Sequence, residues 1–200
     1  KKMKRTKIAQ LAPLWIPVPP RTYGGIELML SLLTEELVAR NYDVTLFASG
    51  DSRTSAKLIP LIEKAILLQK SLRSPHAYII NALEKVYRSR ESFDLFHNHF
   101  DFFMFPLGLL ETIPILTTLH RPLDPASTQA YKIYSKIKFC AISHDQRQSA
   151  EENGIPIIDV VYNGIDLKRY IFQETAGDYF VYLGRLNKEK GVVDAINIAK

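Results

Sequence analysis

The chain has 200 residues, of which 46% are hydrophobic and 24% are charged, as in ordinary globular domains. This composition excludes a disordered, collagen-like or disulfide-scaffold protein, and no apolar run approaches the ~20 residues that span a bilayer. Cys140 is the only cysteine, which excludes an internal disulfide and a cysteine-based zinc site. Prolines interrupt the apolar stretch after the basic segment Lys1–Lys7, so we expect no secretory signal and favour the cytoplasm.

The net charge of +5 comes from the amino terminus. Five of the 26 basic residues lie in Lys1–Lys7, and the remaining 21 are balanced by 21 acidic residues. A neutral body with a basic tail does not indicate a nucleic-acid-binding protein.

Short apolar runs alternate with helix-like segments as far as Tyr162. The predicted strands are Lys7–Leu11, Asp43–Ala48, Lys57–Ile62 (weakened by Pro60), Phe93–His97, Ile115–Leu119, Phe139–Ile142 and Ile158–Tyr162. The predicted helices are Ile26–Arg40, Glu63–Lys70, His76–Arg90, Phe102–Glu111, Ser127–Ile137 and a segment that Ser143 caps and that ends at Gly154. Continuous apolar strands are typical of parallel sheets buried on both faces. We therefore predict an α/β fold with a doubly wound, mainly parallel sheet.

The pattern changes after the last of these strands. Residues 167–177 have the irregular composition of a linker, and Tyr179–Leu183 then predicts a new strand, followed by a loop and a helix from Gly191. This favours a first domain over 1–166 and the start of a second over 178–200. The alternative is that the final strand and helix complete the first domain.

A long loop after the first strand ends in Gly24 and Gly25, just before a helix. In an open parallel sheet, ligands bind beyond the carboxyl ends of the strands. A glycine pair there lets backbone N–H groups approach an anion at the helix N-terminus. The alternative is that Gly25 only starts the helix.

Polar residues also follow two later strands. His97, His99 and Asp101 come after one, and His120 and Arg121 after the other. Two histidines and a carboxylate can bind a metal, but the ligand set is short, so cleft-lining residues are the better interpretation. His120 either positions a hydroxyl group in the crevice or holds the following proline-rich loop.

The loop after Leu183 carries cations. Arg185 and Lys190 precede a predicted helix, where they would suit a diphosphate. The alternative is a solvated basic turn.

A basic surface is predicted over Lys64–Arg90. Six bases (Lys64, Lys70, Arg73, Lys85, Arg88 and Arg90) face a single acid, Glu84, on helical segments that also carry apolar residues. Such a surface suits an anionic membrane or an anionic acceptor, and the alternative is an outer helix with its bases in water.

These motifs, in this order, resemble the family 4 glycosyltransferases. The resemblance rests on Gly24-Gly25-Ile26-Glu27, His97-Asn98-His99, Thr118-Leu119-His120, Asn163-Gly164-Ile165-Asp166 and Gly184-Arg185-Leu186 with Glu189-Lys190-Gly191. It covers nearly the whole chain, and the last two motifs at this separation are its most specific part.

The resemblance implies a GT-B fold, in which two Rossmann-like domains face a cleft. It implies metal-independent, retaining transfer of a hexosyl-type sugar from a nucleotide sugar (a UDP- or GDP-sugar), with no further cofactor, to a lipid, saccharide or small-molecule acceptor. By this resemblance, His120 would be the catalytic-site histidine and Gly24 and Gly25 would lie at the donor phosphates or sugar. Arg185 and Lys190 would bind the diphosphate, while His99, Asp101 and Arg121 would face the acceptor.

The sequence departs from the family in one respect. The family's second domain supplies a Glu-x7-Glu motif and the nucleotide pocket, which would need roughly another 150 residues, so we expect the 200-residue chain alone to be inactive. The alternative functions are another enzyme of the same fold, an epimerase or a phosphorylase, and a non-catalytic sugar-nucleotide-binding domain.

Overall fold

The computed structural model of the protein describes residues 5–69, 73–110, 113–134 and 136–200. The chain divides into two compact units, Lys1–Ile165 and Asp166–Lys200. All strands of the described residues lie in the first unit.

The first unit is built on a seven-stranded parallel sheet. Its strands are β1 (Lys7–Leu11), β2 (Asp43–Ser49), β3 (Lys57–Ile62), β4 (Leu95–Asn98), β5 (Ile115–Thr118), β6 (Lys138–Ala141) and β7 (Ile157–Val160). They lie in the order β3-β2-β1-β4-β5-β6-β7, and every neighbouring pair is parallel. The order reverses between β1 and β4, which is the switch point where open α/β sheets bind ligands.

The helices of the first unit flank this sheet, and the second unit contains one further helix. They are α1 (Gly25–Ala39), α2 (Pro75–Arg88), α3 (Leu107–Leu110), α4 (Pro125–Ile133), α5 (His144–Glu152) and α6 (Val192–Ala199). As predicted, the hydroxyl of Ser143 caps α5 and accepts a hydrogen bond from the amide of Gln146 at 3.0 Å. Asp124 caps α4 in the same way through the amides of Ala126 and Ser127.

The sheet is buried on both faces, as its continuous apolar strands predict. Along β2, Phe47 packs into the larger hydrophobic cluster, whereas Leu46 and Ala48 pack with Leu30 of α1 in a second cluster. Because successive strand residues point to opposite faces, the two clusters lie on opposite sides of the sheet. The predicted doubly wound arrangement is confirmed.

The helix predicted over Ser127–Ile137 is α4, which ends earlier, at Ile133. Two other predicted helices differ more in extent. Over Glu63–Lys70 the structure has only one 3-10 turn at Ile66–Leu68, and Lys70 lies outside the described residues. The amides of Ile66 and Leu67 donate instead to the carbonyls of Leu14 and Trp15, at 2.9 and 3.0 Å. These bonds tie the segment to the loop after β1, so a continuous helix does not form.

The other helix, predicted over Phe102–Glu111, is a 3-10 turn at Asp101–Met104 followed by the short α3. Pro106 lies between them and has no amide hydrogen to continue a helix. Glu111 is outside the described residues.

The second unit contains a 3-10 turn at Lys188–Lys190 followed by α6. The predicted strand Tyr179–Leu183 is wrong, because the structure gives this segment no regular secondary structure. A strand needs a neighbour for its backbone hydrogen bonds, and no other residue of this unit, all of which is described, is extended into a strand.

Candidate active site

A cavity of about 100 Å³ lies at the carboxyl ends of β1, β4 and β5. Its walls include His99, Asp101, His120 and Arg121, four residues that the sequence places in two separate motifs. Their convergence follows from the topology, because β4 and β5 are neighbours and both end at this edge. The position is the one expected for a ligand of a doubly wound sheet.

Three histidines form one connected group beside the cavity. Nδ1 of His99 lies 2.9 Å from Nε2 of His120, and Nε2 of His99 lies 3.0 Å from Oε1 of Gln10. The rings of His97 and His99 are neighbours, with centroids 4.1 Å apart, as expected for residues two apart on one face. Nε2 of His97 contacts the hydroxyl of Thr118 at 2.9 Å.

Burial keeps these imidazoles neutral. It lowers the pKa of both His97 and His120 to about 4, with repulsion from His120 also acting on His97. Burial, with repulsion from the other two histidines, lowers the pKa of His99 well below its ordinary value. At neutral pH each ring therefore carries one N–H donor and one bare nitrogen acceptor.

Asp101 is held in a conformation that few residues other than glycine adopt. Its φ is 57°, in the left-handed region that Asn and Asp tolerate best. The carboxylate accepts hydrogen bonds from Nε of Arg121 at 2.9 Å, from the amide of Phe102 at 2.9 Å, and from the hydroxyl of Tyr131. These contacts compensate for strain of a kind that often occurs at functional sites.

Arg121 lies between two cavities. The second has a volume of about 290 Å³ and is also lined by His120, Ser143 and Gln146. Only Nε of the guanidinium is engaged by Asp101, and the side chain is 54% exposed. The rest of the planar guanidinium can donate to an incoming ligand.

The surrounding structure requires glycine at Gly24 but not at Gly25. Gly24 has a φ of 154°, and a Cβ there would lie 2.8 Å from both Pro20 and the carboxylate of Glu27, so a side chain does not fit. Gly25 is the first residue of α1, and a Cβ there would meet nothing within 4 Å. Packing therefore explains Gly24 and leaves open space in front of Gly25.

Glu27 is a cavity residue that was not selected from the sequence as a site candidate. It lies in the first turn of α1, is only 5% exposed, and lines the cavity together with His99 and His120. Burial raises the pKa of its carboxyl group, and its own backbone amide partly offsets this. The signal available in the sequence was its spacing from Leu30 and Thr34, which places all three on the buried face of α1.

Arg185 and Lys190 lie in the second unit, and both are exposed. Nη2 of Arg185 is 3.8 Å from Oε2 of Glu189, and the amide of Lys190 donates to Asn187 at 3.2 Å. Gly191 then takes the left-handed conformation, with a φ of 65°, and is the N-cap residue of α6. The two cations thus occupy a turn before a helix, as predicted, and their role at a diphosphate stays a prediction.

No group of three or more His, Cys, Asp or Glu side chains within the described ranges is placed to hold a metal ion. The histidines are engaged with Thr118, with Gln10 and with one another.

Comparison with known proteins identifies the architecture. The sequence model described as Glycosyltransferase Family 4 matches residues 23–169. No curated protein sequence matches the chain.

Two solved structures have a similar fold. AviGT4, a glycosyltransferase involved in avilamycin A biosynthesis, is 22% identical with a TM-score of 0.53, over 83% of this chain and 44% of its own. A glycosyltransferase from Rickettsia africae ESF-5 is 14% identical with a TM-score of 0.53, over 79% of this chain and 43% of its own. The chain thus spans less than half the length of either structure, and the predicted GT-B fold class is confirmed.

Proposed function

We propose that this chain, which belongs to Glycosyltransferase Family 4 because that family's model matches 23–169 of its 200 residues, takes part in sugar transfer from a nucleotide sugar to an acceptor hydroxyl. The proposed donor is a UDP- or GDP-sugar, and the anomeric configuration is retained. The observation that carries the proposal is the convergence of His99, Asp101, His120 and Arg121 on one cavity at the switch point of the sheet.

The cavity provides the acceptor side of this reaction. Neutral imidazole, carboxylate and guanidinium groups around about 100 Å³ of space can hold several sugar hydroxyls in fixed positions. His120 would bind a hydroxyl of the transferred sugar or the acceptor, since a ring with a pKa of about 4 is neutral at physiological pH. Glu27 would accept hydrogen bonds from ligand hydroxyls, which would compensate for the burial of its carboxyl group.

The leaving group would be stabilised by Arg185 and Lys190. The bond between the anomeric carbon and the β-phosphate oxygen breaks, the acceptor oxygen forms the new bond on the same face, and the phosphate takes the acceptor's proton. Negative charge therefore develops on the diphosphate, where cations act electrostatically in the way a metal ion does in other transferases. We expect the reaction to proceed without a divalent metal.

The test is a donor screen on the longest form of the protein that its gene encodes. UDP- and GDP-sugars are supplied with saccharide, lipid or small-molecule acceptors, and released nucleoside diphosphate is measured with and without EDTA. Release that requires an acceptor and resists EDTA supports the proposal. An epimerised donor, or phosphate-dependent sugar release, would indicate one of the alternative enzymes, and binding without release would indicate a non-catalytic domain.

A further inference from the structure

A buried amide on β1 determines which nitrogen of His99 carries its proton. Gln10 is fully buried, and its Oε1 lies 3.0 Å from Nε2 of His99. An amide oxygen can only accept a hydrogen bond, so Nε2 of His99 must be the donor.

This donor determines the next hydrogen bond. A neutral imidazole has a single N–H, so Nδ1 of His99 is bare and acts as an acceptor. It lies 2.9 Å from Nε2 of His120, which must therefore donate. His120 then has its proton on Nε2, and its Nδ1 is bare.

We propose that Gln10 is a positioning residue that fixes the tautomer of His120 through His99, so that Nδ1 of His120 accepts a hydrogen bond from a ligand hydroxyl in the cavity. The ligand's use of Nδ1 rests on the proposed function, whereas the tautomer does not. His120 lines the cavity, and within the described residues its ring is hydrogen-bonded through Nε2 to His99 and not through Nδ1. The ring is thereby prepared to accept a ligand hydroxyl.

The nitrogen of the Gln10 amide indicates that Gln10 does more than stabilise the fold. Nε2 of Gln10 is buried without a hydrogen-bond partner among the described residues, and a buried unpaired donor destabilises a fold. An apolar residue at position 10 would avoid this penalty. Turning the amide round would leave its oxygen unpaired instead and would reverse both hydrogen bonds, placing the proton of His120 on Nδ1. The orientation of the Gln10 amide therefore decides whether Nδ1 of His120 is a hydrogen-bond acceptor or a donor.

The experiment is nuclear magnetic resonance of the protein labelled with ¹⁵N at its five histidines, at neutral pH without any ligand. Long-range ¹⁵N–¹H correlations distinguish bare from protonated ring nitrogens, and a His120→Gln spectrum assigns the His120 signals. We expect a bare Nδ1 and a protonated Nε2 for His120. The reverse assignment, or an even mixture, would overturn the proposal even if a Gln10 variant failed to fold.

The matched variant is Gln10→Met, which keeps the length of the side chain and removes both the oxygen and the nitrogen of the amide. We expect His120 to lose its single tautomer in this variant. Thr34→Val is the control, because Thr34 is another fully buried polar residue whose hydroxyl has no hydrogen-bond partner in the described parts of the chain, and it lies outside the cavity lining. An unchanged His120 spectrum in folded Gln10→Met would overturn the role of Gln10. Because no donor is present, the result is independent of whether the protein transfers sugar.

Discussion

The carboxylate of Asp101 joins Arg121 and Tyr131, accepting from Nε of the arginine at 2.9 Å and from the tyrosine hydroxyl. Tyr131 is buried and Arg121 is half-exposed. We therefore expect the tyrosine to dominate the stability effect and the arginine to matter for ligands, since exposed ion pairs contribute little.

Asp101→Ala is expected to lower the free energy of unfolding by about 1–3 kcal/mol, the cost of an unpaired buried hydroxyl, plus the strain of alanine at this φ. Asp101→Asn should lose less, because asparagine tolerates the left-handed conformation and still offers an acceptor. Urea denaturation measures both, with Asp43→Ala at the exposed start of β2 as control. If Asp101→Ala is as stable as that control, the anchoring role of Asp101 is wrong.

Glu27→Gln is expected to stabilise the fold and impair the reaction. Burial raises the pKa of Glu27, so the folded state holds its proton to a higher pH than the unfolded state. The unfolding free energy therefore falls as pH rises from about 4.5 through the folded pKa. Glutamine does not ionise, so the variant does not lose stability in this way. The unfolding free energy of the variant should therefore exceed that of the wild type by an amount that grows over this pH range and persists at pH 7.

Urea denaturation across that pH range, alongside the donor assay, checks the prediction for Glu27. Glu35→Gln is the control, because hydrogen bonds from Ser55 and Thr54 act to lower the pKa of Glu35. A Glu27→Gln variant with full activity would make this carboxylate a structural group only.

Arg185→Ala and Lys190→Ala are each expected to weaken nucleoside diphosphate binding by about 1.5–3 kcal/mol, the range for hydrogen bonds to charged groups. Calorimetry with UDP and GDP on the full-length protein measures this. Lys188→Ala, in the same 3-10 turn, is the control for a general loss of positive charge. If all three variants bind alike, the loop is a solvated basic turn.

The Lys64–Arg90 surface is predicted to bind anionic membranes. Its α2 face with Ile79, Ala82 and Val86 is buried, as in an outer helix, but Leu67 and Ile80 are 68% and 64% exposed. Two of its basic side chains are engaged by other residues of the fold. Arg88 pairs with Glu84, and Nζ of Lys85 lies 3.3 Å from two carbonyl oxygens of β3. Membrane association thus remains a prediction, and none of the described helices is long and apolar enough to cross a bilayer.

Co-sedimentation with vesicles of rising anionic-lipid content tests this surface. Arg73→Gln with Arg88→Gln should weaken binding by about fivefold per charge removed, as ~1 kcal/mol per base implies, and added salt should weaken it further. Arg147→Gln, on α5, is the control. If the wild-type protein does not co-sediment with anionic vesicles at low salt, the prediction is contradicted.

The sheet was predictable because its strands are continuous apolar runs, which report burial on both faces directly. The break at Pro106 in the helix predicted over Phe102–Glu111 could have been read from the sequence. Two other errors occur where tertiary contacts or the lack of them decide the structure. The segment after β3 bonds to Leu14 and Trp15, which local periodicity cannot indicate. Tyr179–Leu183 has strand-forming residues but no neighbouring strand in its unit.

Part of the candidate site was predictable, because polar residues at the ends of strands can be recognised in the sequence. This rule identified His99, Asp101, His120 and Arg121, which line the cavity. Gln10 and Glu27 were missed for a common reason. A polar residue within an apolar strand or on the buried face of a helix gives no sign of its partner until the fold brings in His99 or the cavity.

The most direct test of the account is the kinetics of His120→Ala in the full-length protein with its best donor and acceptor. Because His120 lines the cavity and is proposed to orient a hydroxyl, we expect turnover to fall by on the order of 10²–10⁴, while donor affinity measured by calorimetry changes little. His76→Ala, an exposed histidine of α2, should leave both quantities unchanged. A folded His120→Ala protein with wild-type turnover would contradict the central claim that this cavity is the site of sugar transfer.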